Sequence, residues 1–383
     1  MAAIVFWVSV GLIAYAYVGY PLLIAMLSSF VHRKVKAAPI EPQVSLLIAA
    51  YNEEKDIAEK LRNSLELDYP ADRYEIVVAS DGSTDRTDDI VCSFANNERG
   101  VRVLLHRVEG RLGKTAAQNS AVAICQGEVV VFSDAASLYD PGVLCALVRN
   151  YADPEVGAVS GRYAYVNKTG GSVGAATILF WNIENFIKSR QTRVRTITGC
   201  CGCIYSVRRS LYNPLPPTII SDLVEPLTIL RKGKRIVFEP AALAFEDTTE
   251  KVKDEFKMRI RVIVRGMNGI LFVRDLLNPL RYPFVALQLL SHKVLRWLVP
   301  VFSIGALLSN SILWRHSAFY AGTLVLQLLF YLLAAAGFLL ERRGVHKKVL
   351  SLPLYFCVVN LASLLSLFRV LRGYNVVTWQ TQR

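Results

Sequence analysis

Apolar and polar positions divide the chain into two kinds of territory. Residues 2–31 contain no Asp, Glu, Lys or Arg, and about 20 apolar residues are enough to cross a bilayer. Three more apolar stretches, 297–314, 318–340 and 349–367, lie toward the other end. The pattern predicts a membrane helix with a basic flank over 1–36, a globular domain over 37–255 and about three membrane helices within 284–383. Between them, Phe256, Ile260, Ile263, Val264, Met267 and Ile270 recur at helical spacing. Lys257, Arg261 and Arg265 recur every four residues beside them. Residues 256–283 are therefore expected to hold an amphipathic interfacial helix.

Inside the globular domain the period changes. Val44-Ser45-Leu46-Leu47-Ile48-Ala49-Ala50 is a continuous run, as in a parallel strand buried on both faces. Tyr51-Asn52-Glu53-Glu54 follows, with Asn52 placed to cap a helix running to about Leu65. Further strands are predicted at 74–80, ending at Asp81-Gly82-Ser83-Thr84-Asp85, at 101–106, and at 128–133, ending at Asp134. A helix over 114–125 separates the last two. This alternation predicts an α/β fold, a mainly parallel sheet with helices on both faces. Ligands of such sheets bind beyond the carboxyl ends of the strands. Tyr51 to Glu53, Asp81 and Asp134 should therefore meet in space.

Composition narrows the class. The chain has 383 residues, 53% hydrophobic and 20% charged, with a net charge of +13. That excludes a disordered chain, a fibrous repeat and a small disulfide scaffold. Lys and Arg cluster beside the apolar segments, which points to membrane lipid and away from nucleic acid. His32-Arg33-Lys34-Val35-Lys36 places the domain in the cytoplasm of an integral protein of the plasma or inner membrane. No basic n-region precedes the long first apolar stretch, so it reads as an anchor, not a cleaved signal. The basic run from Glu341 to Lys348 is a second cytoplasmic loop. Four crossings then leave Arg369, Arg372 and Arg383 on the outer side, in tension with the same rule unless the tail lies on the surface or the hairpin count around residues 284–314 differs. Cys200, Cys201 and Cys203 cluster without a fourth ligand nearby at zinc-site spacing, which suits a reduced loop.

The strand-end acids carry the candidate chemistry. Asp81 can accept from a base N–H or a ribose hydroxyl, and Asp134 can hold a hard divalent cation that bridges phosphates. The plainer readings are a turn residue and a helix cap.

Here the sequence resembles family 2 glycosyltransferases of the GT-A fold. The resemblance rests on Ala49-Ala50-Tyr51-Asn52-Glu53-Glu54, Val78-Ala79-Ser80-Asp81-Gly82-Ser83-Thr84-Asp85, Gly113-Lys114-Thr115-Ala116-Ala117-Gln118-Asn119 and Phe132-Ser133-Asp134-Ala135-Ala136-Ser137. The loop from Thr198 to Arg209 and Ser221-Asp222 extend it, so that it covers roughly residues 43–266. The flanking helices resemble the membrane branch that includes hyaluronan, cellulose and poly-N-acetylglucosamine synthases.

The resemblance implies a nucleotide-sugar donor, UDP-linked, held by Ala50, Tyr51, Asn52, Glu53, Asp81, Lys114, Asp134, Arg261 and Arg265. It implies Mg²⁺ or Mn²⁺ at Asp134, a saccharide or lipid-linked acceptor beside Gly199, Cys200 and Gly202, and Asp222 as general base of an inverting transfer. Glu225, one turn on, is the alternative base. Two departures stand out. Ala136 replaces the second acid of D-x-D, and Met258, Arg261 and Val262 stand where chain-building synthases carry Q-x-x-R-W. The expected activity is sugar transfer in extracellular or envelope polysaccharide synthesis. Single transfer to a lipid-linked acceptor is the alternative, and a degenerate nucleotide-sugar-binding subunit is the non-catalytic one. Four helices are few for a polymer channel, so a homo-oligomer is a further expectation.

Overall fold

The computed structural model describes residues 1–166, 172–247, 252–345 and 347–377. His346 and Arg383 lie outside these described residues. Eight strands, β1 Val44–Ala50, β2 Tyr74–Ser80, β3 Arg102–Arg107, β4 Val129–Asp134, β5 Leu138–Tyr139, β6 Val156–Val166, β7 Ile204–Arg208 and β8 Arg235–Asp247, form one sheet. Their order is β3-β2-β1-β4-β7-β6-β8-β5. The half from β3 to β4 is parallel throughout. Every residue of β1 and β2 is buried, because apolar side chains leave both faces. Leu46, Ile48 and Ile76 pack into one core layer, and Leu47, Val77 and Phe132 into the other.

Register decides where the site lies. Ala50 pairs with Ser80 and Ala49 pairs with Asp134. The carboxyl ends of β1, β2 and β4 therefore finish level. Beyond β4 the sheet turns mixed: β7 runs antiparallel to both β4 and β6, while β6 and β8 are parallel. These pairings join segments far apart in sequence, and no local periodicity reports them.

The helices are α1 Ala2–Phe30, α2 Ile57–Leu65, α3 Thr87–Ser93, α4 Lys114–Val122, α5 Val143–Val148, α6 Ser172–Val194, α7 Ser221–Arg231, α8 Val252–Phe272, α9 Pro283–Leu313, α10 Ala318–Glu341 and α11 Lys348–Leu371. By length and composition α1, α9, α10 and α11 could each cross a membrane. α1 and α9 each contain a π-helical turn, at Tyr15–Gly19 and Leu290–Val294, and the Tyr15 hydroxyl meets Ser291 Oγ at 2.9 Å between them.

One expectation is corrected. Asn52 does not cap a helix: α2 begins only at Ile57. Asn52 instead takes a left-handed φ of 54°, and its Oδ1 accepts the Thr84 N–H at 2.8 Å. Asn tolerates that conformation, and the bond ties the turn after β1 to the turn after β2. The tail packs back on the globular domain. Phe6 packs on Phe319 and Tyr320, so α10 starts beside the N-terminal end of α1. A Cβ on Gly337, near the other end of α10, would touch Leu350 and Leu354 at the start of α11. α11 then lies along α8, where Ser366 Oγ bonds the Ile260 carbonyl and Ala362 joins the α8 core. Asn268 of α8 donates to Asn375 Oδ1 at 2.8 Å. The end of α11 and the tail thus pack against α8 and the loop before α4.

Candidate active site

The turn after β1 and the loop before α4 build one wall. The Asp81 N–H bonds the Ala50 carbonyl at 3.0 Å, which locks the end of β2 to that of β1. The Asp81 carboxylate is fully buried and accepts the N–H groups of Leu112 and Gly113 at 2.8 and 2.9 Å. Burial raises its pKa, and these two donors with Arg111 oppose the rise. Gly113 has φ 94°, and a Cβ there would come within 2.6 Å of the Val377 carbonyl oxygen in the tail. The Arg111 guanidinium lies 4.1 Å over the Tyr51 ring. Glu53 is buried, and its N–H donates to Thr87 Oγ1 at 2.8 Å. Asn52 and Glu53 therefore shape this wall, while Tyr51 and Arg111 line it. Sequence reasoning missed Arg111. Its signal was the flanking pair Gly110 and Gly113, both of positive φ, which let backbone approach a ligand closely.

The opposite wall comes from α4, β4, α7 and α8. Lys114, the first residue of α4, forms an ion pair with Asp134 at the end of β4. Burial pulls the ammonium pKa down, but the charge and hydrogen bond of Asp134 outweigh it and the net shift is upward. Asp222 is the second residue of α7, with Ile220 at the cap position, so it is not the N-cap. Burial raises its pKa, and Lys114 and then Arg265 pull it back. Arg265 is itself buried and donates to Thr115 Oγ1 at 2.9 Å and to the Ile219 carbonyl at 2.8 Å. Burial depresses it to about 10. Arg261 is half-buried and feels the charge of Asp134.

The loop through the three cysteines rests on the start of α7. The Cys200 N–H donates to the Asp222 carbonyl at 2.9 Å. A Cβ on Gly199 would meet Leu223 at 3.0 Å, and one on Gly202 would lie 2.8 Å from Asp222 Oδ2. Gly202 is thus what leaves the Asp222 carboxylate its room. Glu225 faces away into the core: it is fully buried, neither carboxyl oxygen has a hydrogen-bond partner among the described residues, and burial pushes its pKa up to about 8.

Among the described residues no group of three or more His, Cys, Asp or Glu side chains could hold a metal. Asp134 offers one partly exposed carboxylate, and Ala135 and Ala136 offer no side-chain ligand. One carboxylate suits a cation that arrives on a diphosphate, since Mg²⁺-type ions commonly take one or two carboxylates plus phosphate oxygens and water.

A sheet whose parallel half ends in Asp81 and Asp134, continued by mixed strands and flanked by helices, is the GT-A glycosyltransferase fold. The mannosyltransferase PcManGT from Pyrobaculum calidifontis, solved in complex with GDP-Man and Mn2+, has this fold with a TM-score of 0.69, covering 94% of this chain and 99% of that one at 22% identity. The glycosyl transferase family 2 model matches residues 45–215, and those residues form a glycosyl transferase family 2 domain. Relatives include the probable glycosyltransferase YdaM of Bacillus subtilis (strain 168), 30% identical over 57% of this chain and 54% of that protein. Beta-monoglucosyldiacylglycerol synthase of Nostoc sp. (strain PCC 7120 / SAG 25.82 / UTEX 2576) is 35% identical over 33% of this chain and 27% of its own length. Poly-beta-1,6-N-acetyl-D-glucosamine synthase of Staphylococcus aureus (strain COL) is 26% identical over 64% and 60%. The chain therefore spans at most about three fifths of the length of these relatives.

Proposed function

We propose that the protein is an inverting membrane glycosyltransferase that moves a sugar from a UDP-linked donor to a lipid-linked acceptor at the cytoplasmic face. Lys114 carries this reading: one ammonium pairs with Asp134 and is the strongest cationic influence on Asp222. A donor diphosphate at Lys114 and Asp134 would then lie next to the acid that serves the acceptor. Tyr51 and Arg111 shelter the base, and Asp81 holds the loop that carries them. Arg261 and Arg265 add positive charge where the leaving group gathers negative charge. Asp222 takes the proton of the acceptor hydroxyl as its oxygen attacks the anomeric carbon from the face opposite the leaving diphosphate. Asp134 would hold Mg²⁺ or Mn²⁺ bound with the donor, and the cation would neutralise the departing phosphates.

Two observations favour one transfer over chain building. Q-x-x-R-W is missing, and α11 packs along α8, an arrangement that would leave three helices to cross. Both relatives with named products, one a glucolipid synthase and one a polysaccharide synthase, are compatible with the donor half of this site. Purified full-length protein should be incubated with radiolabelled nucleotide sugars and a membrane lipid extract. Label in an organic-soluble product of single-sugar size is the expected result. Label in a large polymer would overturn the acceptor, and no label from any donor would overturn the activity.

A further inference from the structure

Behind Asp222, where the domain meets the apolar helices, the structure holds cations that the transfer reaction leaves unused. On α6 the residues Glu184, Lys188 and Gln191 share one face by their spacing of four and three. Both outer members are anchored to the apolar helices. Glu184 accepts from His292 Nε2 at 3.1 Å and pairs with Arg296, both on α9. Gln191 Nε2 donates to the Tyr20 hydroxyl of α1 at 2.6 Å. Lys188 lies between these anchors, is only 6% exposed, and makes no hydrogen bond or ion pair among the described residues. Its ammonium has only aromatic company, 5.5 Å from the Trp181 ring and 6.0 Å from that of Phe238. The buried Trp181 indole N–H on the same helix also has no hydrogen-bond partner among the described residues. Across the junction the half-buried Lys293 occupies the π-helical turn of α9 and has no carboxylate partner in an ion pair among the described residues.

The charges here do not cancel. Glu184, the acid bonded across the junction among the described residues, is taken by Arg296 and His292. Lys188 acts electrostatically on Cys200, and Lys293 on Asp222. Both lysines are therefore near enough to the acceptor side of the site for their charge to be felt there. The buried Lys188 ammonium and the Trp181 indole N–H, both without acceptors among the described residues, are costly to bury unless an anion completes them, and the half-buried Lys293 adds a second positive charge beside them. A neutral sugar or a diacylglycerol would leave them incomplete.

We infer that Lys188 and Lys293 bind the phosphate of an anionic lipid acceptor whose headgroup also presents a free hydroxyl to Asp222. This rests on the transferase reading above and adds the class of acceptor. The hydroxyl oxygen forms the new bond to the anomeric carbon, and the bond from that carbon to the diphosphate breaks. The nucleoside diphosphate leaves with the electron pair, and the hydroxyl proton passes to Asp222. The phosphate on the lipid stays intact throughout.

The test offers the full-length protein, in neutral-lipid nanodiscs with the active nucleotide sugar, three probes. Phosphatidylglycerol carries phosphate and hydroxyl in a lipid, diacylglycerol carries a hydroxyl alone, and glycerol 3-phosphate carries both in solution. Phosphatidylglycerol should be labelled in preference to the other two. Lys188→Met and Lys293→Met should each raise its KM roughly tenfold, the loss of one charge-assisted hydrogen bond, and Lys→Arg at the same positions should restore it. UDP affinity of each variant serves as the check on folding. Equal labelling of diacylglycerol, with the methionine variants like wild type, would overturn the inference; equal labelling of glycerol 3-phosphate would overturn its lipid half. Native mass spectrometry supplies an arm independent of turnover. Selective retention of phosphatidylglycerol by the wild type, lost in both methionine variants, would uphold the site even if transfer fails, and retention without selectivity would overturn it.

Discussion

Asp222 and Glu225 stand one turn apart on α7 and meet opposite environments. Asp222 is answered by Lys114 and Arg265, whereas Glu225 has no partner on either oxygen among the described residues. The first is suited to take a proton at neutral pH, and the second to keep one. Asp222→Asn should fold, bind UDP and lose turnover by about 10²–10⁴-fold; a variant that kept a tenth of wild-type turnover would remove Asp222 from the role. Glu225 makes a prediction about stability. Its pKa rises from 4.5 in the ordinary carboxyl to about 8 in the fold, so between those values the folded state holds a proton that the unfolded state has lost. Stability must then fall as pH rises through that window. Glu225→Gln should flatten the decline in melting temperature between pH 5 and pH 8. An unchanged slope would mean that an ionised partner keeps Glu225 charged. Such distinctions were not legible in the sequence. Motif position brought Asp222 forward and chain distance made Glu225 its alternative, but burial separates them, and burial depends on the strands packed over α7. Asp81 is a similar case. The sequence showed an acid at a strand end; the fold shows it holding the N–H groups of Leu112 and Gly113.

At the level of elements, α8 shows what helical spacing reveals and what it hides. The row Lys257, Arg261 and Arg265 was legible as one face of a helix. Its members nonetheless grade from exposed through half-buried to buried, because α8 descends from the open surface into the groove between α4 and α7. Lys257→Ala should change turnover by no more than about twofold, as exposed substitutions do. Arg265→Ala removes two donated bonds, to Thr115 and to the Ile219 carbonyl. It should cost about 1.5–3 kcal/mol of stability as well as turnover, measured by thermal melting beside the kinetic assay. Equal and small effects at both positions would return the whole row to simple lipid contact. The cysteine loop behaves in the same way. Gly202→Ala puts a methyl 2.8 Å from Asp222 Oδ2, so it should lower kcat while UDP affinity holds. A normal kcat would show that the carboxylate moves aside at no cost. The small residues of this loop could be read from sequence; the element they make room for could not.

For the whole molecule the open question is how many times the chain crosses. Hydropathy gave four apolar stretches, and that count set Arg369 and Arg372 on the outer side, against the charge rule that fixed the first helix. The contacts of α11 favour a count of three, which would remove the conflict. Its start lies beside the end of α10, its middle along α8, and its tail reaches Asn268 and Gly113. With three crossings, by α1, α9 and α10, the basic flank at residues 32–36, the loop after Glu341 and the tail would all share one side with the domain. Hydropathy could not see this, because a helix lying against an amphipathic partner and one spanning lipid bury similar amounts of apolar surface. The test uses the chain's own thiols. Cys92 is exposed on α3 of the domain and so marks the domain side. In one form of the protein Cys92 is kept and the exposed Cys145 is replaced by Ser; in the other both are replaced and Tyr374→Cys is added. An impermeant maleimide is applied to intact cells and to inverted vesicles. Cys92 and the thiol at position 374 should both label in inverted vesicles and neither in intact cells, with the half-buried Cys357 controlled by a form lacking the other two. Labelling at 374 from the face opposite Cys92 would mean that α11 crosses after all, and that its contacts with α8 and Gly113 do not exist in the membrane.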